Sequence, residues 1–191
     1  MPLAQALKES EVFFKEWLRS PKAMGSIIPS SAVLAKAIAL EVARRDDEYV
    51  VELGGGTGSI SQGLLDAGIP RDKLVIIEYA DDLYNYLKSN FPGCRVIQAD
   101  ATKLADVLKS EKINKVGTVI SGLPMVGMPD DFRQAIVNSG FASMPKGGFM
   151  LQYSYSPLCP VPAKELNIRA KLVRYVVRNV PPAAVWKYER H

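Results

Sequence analysis

The stretch Val50-Val51-Glu52-Leu53-Gly54-Gly55-Gly56-Thr57-Gly58-Ser59 constrains the fold of this chain more than any other. A short apolar run ends on a carboxylate and then breaks into clustered glycines, which reads as a buried strand leaving a sheet through a sharp turn. Glycine there supplies positive φ and lets the backbone approach a ligand closely. Ser59-Ile60-Ser61-Gln62-Gly63-Leu64-Leu65 then starts a helix. A strand, a glycine loop and a helix in that order belong to a nucleotide-type α/β architecture. Spacing excludes two phosphate-binding loops. Gly54-x-Gly56 and Gly56-x-Gly58 meet Ser59 and Ser61 where a dinucleotide fingerprint needs its third glycine, and no Gly-Lys-Ser/Thr follows for a triphosphate loop.

The pattern that remains is Glu-x-Gly-x-Gly-x-Gly, carried by Glu52, Gly54, Gly56 and Gly58. It resembles motif I of the S-adenosylmethionine-dependent methyltransferases, whose doubly wound sheet binds its cofactor at the carboxyl ends of the strands. The rest of the chain alternates accordingly. A helix capped by Ser30 or Ser31 is expected to run to about residue 45, and residues 48–53 form the first strand. Further strands fall at 73–78, 95–98, 115–120 and 148–155, separated by helices at 59–67, 81–91, near 103–109 and at 130–139. This right-handed βαβ series predicts a parallel sheet covered on both faces. After Pro157, Pro160 and Pro162, two strands at 169–177 and 184–188 flank Pro181-Pro182, and predict an antiparallel hairpin at the sheet edge. The expected fold is α/β and doubly wound, with seven mostly parallel strands. Residues 29–191 form its domain, and residues 1–28 an N-terminal amphipathic helix and loop.

Two acids sit where such a fold places a nucleoside. Glu78 ends the second strand, where a carboxylate can accept both ribose hydroxyls, although a strand-end acid is as often merely solvated. Asp100 ends the third strand and can take an adenine amine, or it can cap the segment that starts at Thr102. Cys94 and Cys159 make no metal spacing and no disulfide framework, which with the lack of a signal-peptide pattern points to a reducing cytoplasm. No run approaches the ~20 apolar residues that span a bilayer.

Charge and the N-terminal segment bear on partners. The net charge is +4, and residues 164–190 carry seven Lys/Arg against Glu165 and Glu189, which favours an anionic surface, lipid or nucleic acid. Within residues 3–19, Leu3, Ala6, Leu7, Phe13, Phe14, Trp17 and Leu18 fall on one helical face, with Lys8, Lys15 and Arg19 beside it. Such a stripe either packs on the domain's own core or anchors in a lipid headgroup boundary, where Phe and Trp insert and basic residues meet anionic lipid.

Met24-Gly25-Ser26, Ser121-Gly122-Leu123-Pro124, Phe13-Phe14-Lys15-Glu16-Trp17-Leu18 and Tyr153-Ser154-Tyr155-Ser156-Pro157 narrow the resemblance. Together they resemble the soluble bacterial phospholipid N-methyltransferases over nearly the whole chain. The resemblance implies S-adenosylmethionine as cofactor, with S-adenosylhomocysteine as product. It implies phosphatidylethanolamine as substrate, methylated on its amine toward phosphatidylcholine by a cytoplasmic enzyme bound peripherally to the inner face of the membrane. Cofactor contacts are expected from Met24, Gly25 and Ser26, from Glu52, Gly54, Gly56, Thr57 and Gly58, and from Glu78, Tyr79, Asp100, Ala101 and Ser121. Substrate contacts are expected from Gly122, Leu123, Tyr153, Tyr155 and Arg174, membrane contacts from Phe13, Phe14, Lys15, Trp17 and Arg19, and no metal is expected.

Ribosomal RNA adenine dimethylases look similar at the fourth-strand loop, but theirs reads Asn-Leu-Pro-Tyr. Ser121 and Met125 hold those places here, so a flipped base would lose its hydrogen bond and its stacking platform. The alternatives are a nucleic-acid or protein N-methyltransferase that uses the basic C-terminal hairpin, and a membrane-binding protein with a vestigial cofactor site. The sole histidine is His191, so Tyr153 or water is left to take the amine's proton, with Ser121 beside it as the second candidate catalytic group. Tyr153 and Tyr155 could hold a methylated cation over their rings, or be ordinary core residues.

Overall fold

The computed structural model describes residues 31–190. Its sheet grows outward from the strand before the glycine loop. β1 (Tyr49–Leu53) pairs in parallel with β2 (Leu74–Glu78) on one side and with β4 (Val116–Ser121) on the other. β3 (Arg95–Gln98) adds outside β2, and β5 (Phe149–Ser154) adds outside β4. The chain therefore builds one half of the sheet, returns, and builds the other half. Its direction reverses between β1 and β4, and the crevice beyond the carboxyl ends of strands at such a switch point is where doubly wound sheets bind ligands.

Side-chain alternation sorts the core into two layers. Val50, Ile76, Ile120 and Leu151 face α1 (Ala32–Ala39), α2 (Ser59–Asp66) and α3 (Asp81–Asn90), meeting Leu34, Ile38, Leu64 and Leu87. Val51, Leu53, Val75, Val119 and Met150 face α4 (Leu104–Ser110) and α5 (Asp130–Ala142), meeting Leu104, Leu108, Phe132 and Ile136. Burial on both faces explains why β1 and β2 read as continuous apolar runs. Glu52 and Glu78, in phase with Val50 and Ile76, point to the α1–α3 layer.

One boundary is corrected. The first helix ends at Ala39 rather than near residue 45, because Thr118 of β4 captures the chain that follows. Its Oγ1 donates to the Ala43 carbonyl at 2.6 Å and accepts from the Ala43 N–H at 3.3 Å. The expected antiparallel hairpin does lie at the sheet edge. β6 (Ile168–Val176) is the outermost strand, and the later β7 (Ala183–Arg190) lies between it and β5, antiparallel to both. A bulge between Leu172 and Arg174 turns Arg174 to the α1 side, where it pairs with Glu41 at 2.5 Å. Arg178 lies beyond the end of β6, so it does not share a strand face with Arg174. The N-terminal expectations, on Phe13, Phe14, Lys15, Trp17, Arg19, Met24, Gly25 and Ser26, lie outside the described residues. Among the described residues no helix is long and apolar enough to cross a membrane.

Candidate functional site

The glycine loop is held from both sides of β1. The N–H groups of Gly54 and Gly55 donate to the Ile77 carbonyl at 2.8 and 3.3 Å, and the N–H of Gly122, just past β4, donates to Leu53 at 2.9 Å. Gly54, Gly56 and Gly58 all have positive φ, at 75°, 55° and 78°. Their surroundings differ. A Cβ on Gly58 would lie 2.3 Å from the Phe91 ring, and one on Gly54 would lie 2.8 Å from Leu123, so packing alone demands glycine there. A Cβ on Gly56 would meet nothing nearer than the Gly54 carbonyl at 4.0 Å. That position faces open space, and it is where the backbone leaves room for a ligand. Gly58 then opens α2 without a side-chain cap, and Thr57 is exposed with its hydroxyl 3.2 Å from that of Ser59.

Two buried carboxylates underlie the loop. Glu52 accepts from the Ser61 hydroxyl at 2.5 Å, which ties the end of β1 to the first turn of α2. Burial pushes its pKa up to about 8, the Ser61 hydrogen bond opposes that rise, and the charge of Glu78 adds to it. Glu52 therefore sits beneath the loop and braces it from below. Glu78 stands at the loop's flank. Its carboxylate accepts from Gly56 N–H at 2.9 Å, Tyr79 N–H at 2.8 Å and Ala80 N–H at 3.0 Å. Those donors fix its orientation at the carboxyl end of β2, beside the open face of Gly56. One strand further, Asp100 accepts from the Thr102 N–H and hydroxyl, both at 2.8 Å and both through Oδ1, so it does cap the short turn that begins at Ala101. Its Oδ2 has no hydrogen bond among the described residues, which leaves one oxygen for a ligand amine.

The opposite wall comes from β4 and β5. Ser121 is fully buried at the end of β4, and its Oγ accepts from Leu123 N–H at 3.3 Å. Leu123 packs against Gly54, and a Cβ on Gly122 would lie 2.6 Å from the Tyr153 hydroxyl. Glycine at 122 thus lets the Tyr153 phenol lie directly on the loop after β4. Tyr155 meets Tyr153 edge to face, with ring centroids 6.5 Å apart. Gln152, in the middle of a run that reads as core, holds this wall together. Its Nε2 donates to the carbonyls of Leu123 at 3.0 Å and Tyr153 at 2.7 Å, while its buried Oε1 has no partner among the described residues.

The structure thus gathers Gly54, Gly56, Glu78, Asp100, Ser121, Gly122, Leu123 and Tyr153 around the carboxyl ends of β1–β5, and leaves Arg174 engaged by Glu41 away from them. Sequence reasoning missed Ser61 and Gln152. A glutamine after Phe149-Met150-Leu151 and a serine facing inward from an apolar helix were the available signals. Among the described residues no group of three or more His, Cys, Asp or Glu side chains is placed to hold a metal ion.

Comparison with known proteins agrees with this geometry. No family model matches the chain. The chain is 26% identical over 131 residues to an ornithine lipid N-methyltransferase of Singulisphaera acidiphila, covering 67% of this chain and 68% of that protein. A TehB-like S-adenosylmethionine-dependent methyltransferase of Corynebacterium glutamicum superposes with a TM-score of 0.58 at 14% identity, over 96% of this chain and 99% of that one. The glycopeptide N-methyltransferase MtfA, solved with S-adenosylmethionine, gives a TM-score of 0.54 at 16% identity, over 87% of this chain and 68% of that one. The chain has the Rossmann-like fold of the S-adenosylmethionine-dependent methyltransferases.

Proposed function

We propose that this chain is an S-adenosylmethionine-dependent N-methyltransferase whose acceptor is the headgroup amine of a membrane lipid, with phosphatidylethanolamine the substrate its motifs favour. The residues present fit the cofactor. The open face of Gly56 gives the backbone room for its methionine portion, the Glu78 carboxylate suits the ribose hydroxyls, and the unengaged Oδ2 of Asp100 suits the adenine amine. When bound, that cofactor supplies an activated methyl group on a sulfonium.

The observation that carries the reading is the set of polar side chains at the carboxyl ends of β4 and β5, with Ser121 and Gln152 on the α4–α5 side and Tyr153 on the α1–α3 side. Methyl transfer to an amine needs the nitrogen held in line with the donor carbon and little else from the protein. The buried, unpartnered Oε1 of Gln152 and the hydroxyls of Ser121 and Tyr153 are acceptors suited to orienting N–H groups. Tyr153 and Tyr155 supply aromatic faces for the bulkier cation left after each transfer. The similarity to an ornithine lipid N-methyltransferase points the same way, since ornithine lipid and phosphatidylethanolamine both offer an amine on a lipid headgroup. Such an enzyme works in the cytoplasm, on the inner face of the membrane.

Incubation with labelled methyl donor and vesicles containing phosphatidylethanolamine, ornithine lipid or phosphatidylglycerol, followed by separation of the lipids, tests this. Label is expected in mono-, di- and trimethylated phosphatidylethanolamine and not in phosphatidylglycerol. Label confined to ornithine lipid would change the substrate but keep the reaction class. Label in added RNA or protein, with none in any amine lipid, would overturn the proposal.

A further inference from the structure

Among the described residues nine large apolar side chains are exposed, and five of them collect at one end of the molecule. Val126, 54% exposed, is in the turn that follows β4. Leu158, 74% exposed, is four residues past β5. Tyr175 is near the end of β6, and Val177 and Val180, at 68% and 80%, lie in the turn between β6 and β7. Strand direction places all three loops together. β4 and β5 run parallel, so both end at the crevice. β7 runs against β5 with Ala184 opposite Ser154, so β7 begins where β5 finishes and the preceding turn projects from the crevice end. Tyr175 lies opposite Ala184 in the next pairing and belongs to the same rim.

Single exposed valines are ordinary on a soluble surface, but apolar tips on three separate loops around one opening are not. The positive charge at this rim comes from Arg178, exposed between Val177 and Val180, whereas Arg169, Lys171, Lys187 and Arg190 lie further down β6 and β7 and Arg174 is paired with Glu41. The acid nearest the Val126 turn, Asp130 at the start of α5, is engaged by Arg133, which offsets its repulsion of an anionic surface.

We propose that this end of the molecule is a docking surface for an anionic lipid bilayer. The apolar tips enter the headgroup boundary, and Arg178 meets lipid phosphate. The inference rests on the lipid-headgroup reading and goes further by fixing orientation. The mouth of the crevice faces the bilayer, so a headgroup amine reaches the Gln152 and Tyr153 wall while its acyl chains stay in the leaflet.

The test uses the full chain and vesicles of phosphatidylethanolamine mixed with phosphatidylglycerol. Two double variants, V177D/V180D and V126D/L158D, alter two different parts of the rim, and R178E probes charge. Each double variant is expected to lower co-sedimentation by about tenfold or more, given the apolar area removed from the interface. R178E is expected to bind more weakly at low salt and to lose part of the salt dependence. Cofactor affinity by calorimetry should stay at the parent value in all of them, since none touches the glycine loop. Parent-level vesicle binding by both double variants would overturn the docking surface, as would a parent protein that binds no vesicles. If the parent binds vesicles, the rim variants do not, and yet no lipid is methylated, the docking surface stands and the substrate reading fails.

Discussion

Glu52 and Glu78 show how two similar carboxylates under one loop are given different duties by what surrounds them. Glu52 is raised to about 8 by burial, against 4.5 when exposed in the unfolded chain. Between those values the folded protein keeps a proton that the unfolded chain has released, so stability falls as pH rises across that window and levels off above it. The full effect is on the order of 3 to 5 kcal/mol. Glu52→Gln should flatten this dependence between about pH 5 and 8, as read from denaturant midpoints. Glu78 is held by three backbone N–H groups aimed at it, which fix its orientation. Glu78→Ala should weaken S-adenosylmethionine by tenfold or more in calorimetry and cost roughly 1–3 kcal/mol of stability, because those donors lose their acceptor. Gly56→Val should abolish cofactor binding while the domain still folds, at a cost of about 1–3 kcal/mol for a branched residue at positive φ. An unchanged affinity in that variant would place the ligand elsewhere.

At the scale of elements, what the sequence made legible was whatever local pattern decides. β1, β2 and β4 announce themselves as apolar runs because both faces of a parallel strand are buried, and the turn residues between them mark where each helix stops. Three features escaped because their causes are tertiary. The end of α1 is set by Thr118, which lies 75 residues away from Ala43. The β6 bulge, which decides which way Arg174 points, has no glycine or proline to signal it. Gln152 looks like an interruption in an apolar strand until the carbonyls of Leu123 and Tyr153 are seen around its amide. The positions of the glycine loop and of the acids at the ends of β2 and β3 were legible in the sequence, whereas the arrangement of Ser121, Gly122, Gln152 and Tyr153 depends on how β4 and β5 lie together. Thr118→Val tests one such tertiary stop. It leaves both polar groups of Ala43 without their partner and should destabilise by about 1–3 kcal/mol in denaturant unfolding. Cofactor affinity should hardly change.

At the scale of the whole molecule, α1 is tied to the far edge of the sheet. Asn179 in the β6–β7 turn accepts from the N–H and hydroxyl of Ser31, the residue that caps α1, and donates its own amide to Pro181. The helix entering the domain is therefore coupled to the turn on which Val177, Arg178 and Val180 are presented. Asn179→Ala should loosen both ends at once, read as faster hydrogen exchange in α1 and in the turn together, while exchange in β1 and β2 stays slow. The strand order carries a different consequence, for the sequence of events in folding. β7 is later in the chain than β6 yet lies inside it. Strands added to the growing sheet strictly in the order of their synthesis would seal β6 onto β5 and leave β7 no place. β7 must instead reach β5 before β6 is sealed there, and a β6–β7 hairpin, which zips locally on the microsecond scale, is the most direct way to deliver it. The exposed flank of β5 therefore waits uncovered until β7 is available to close it.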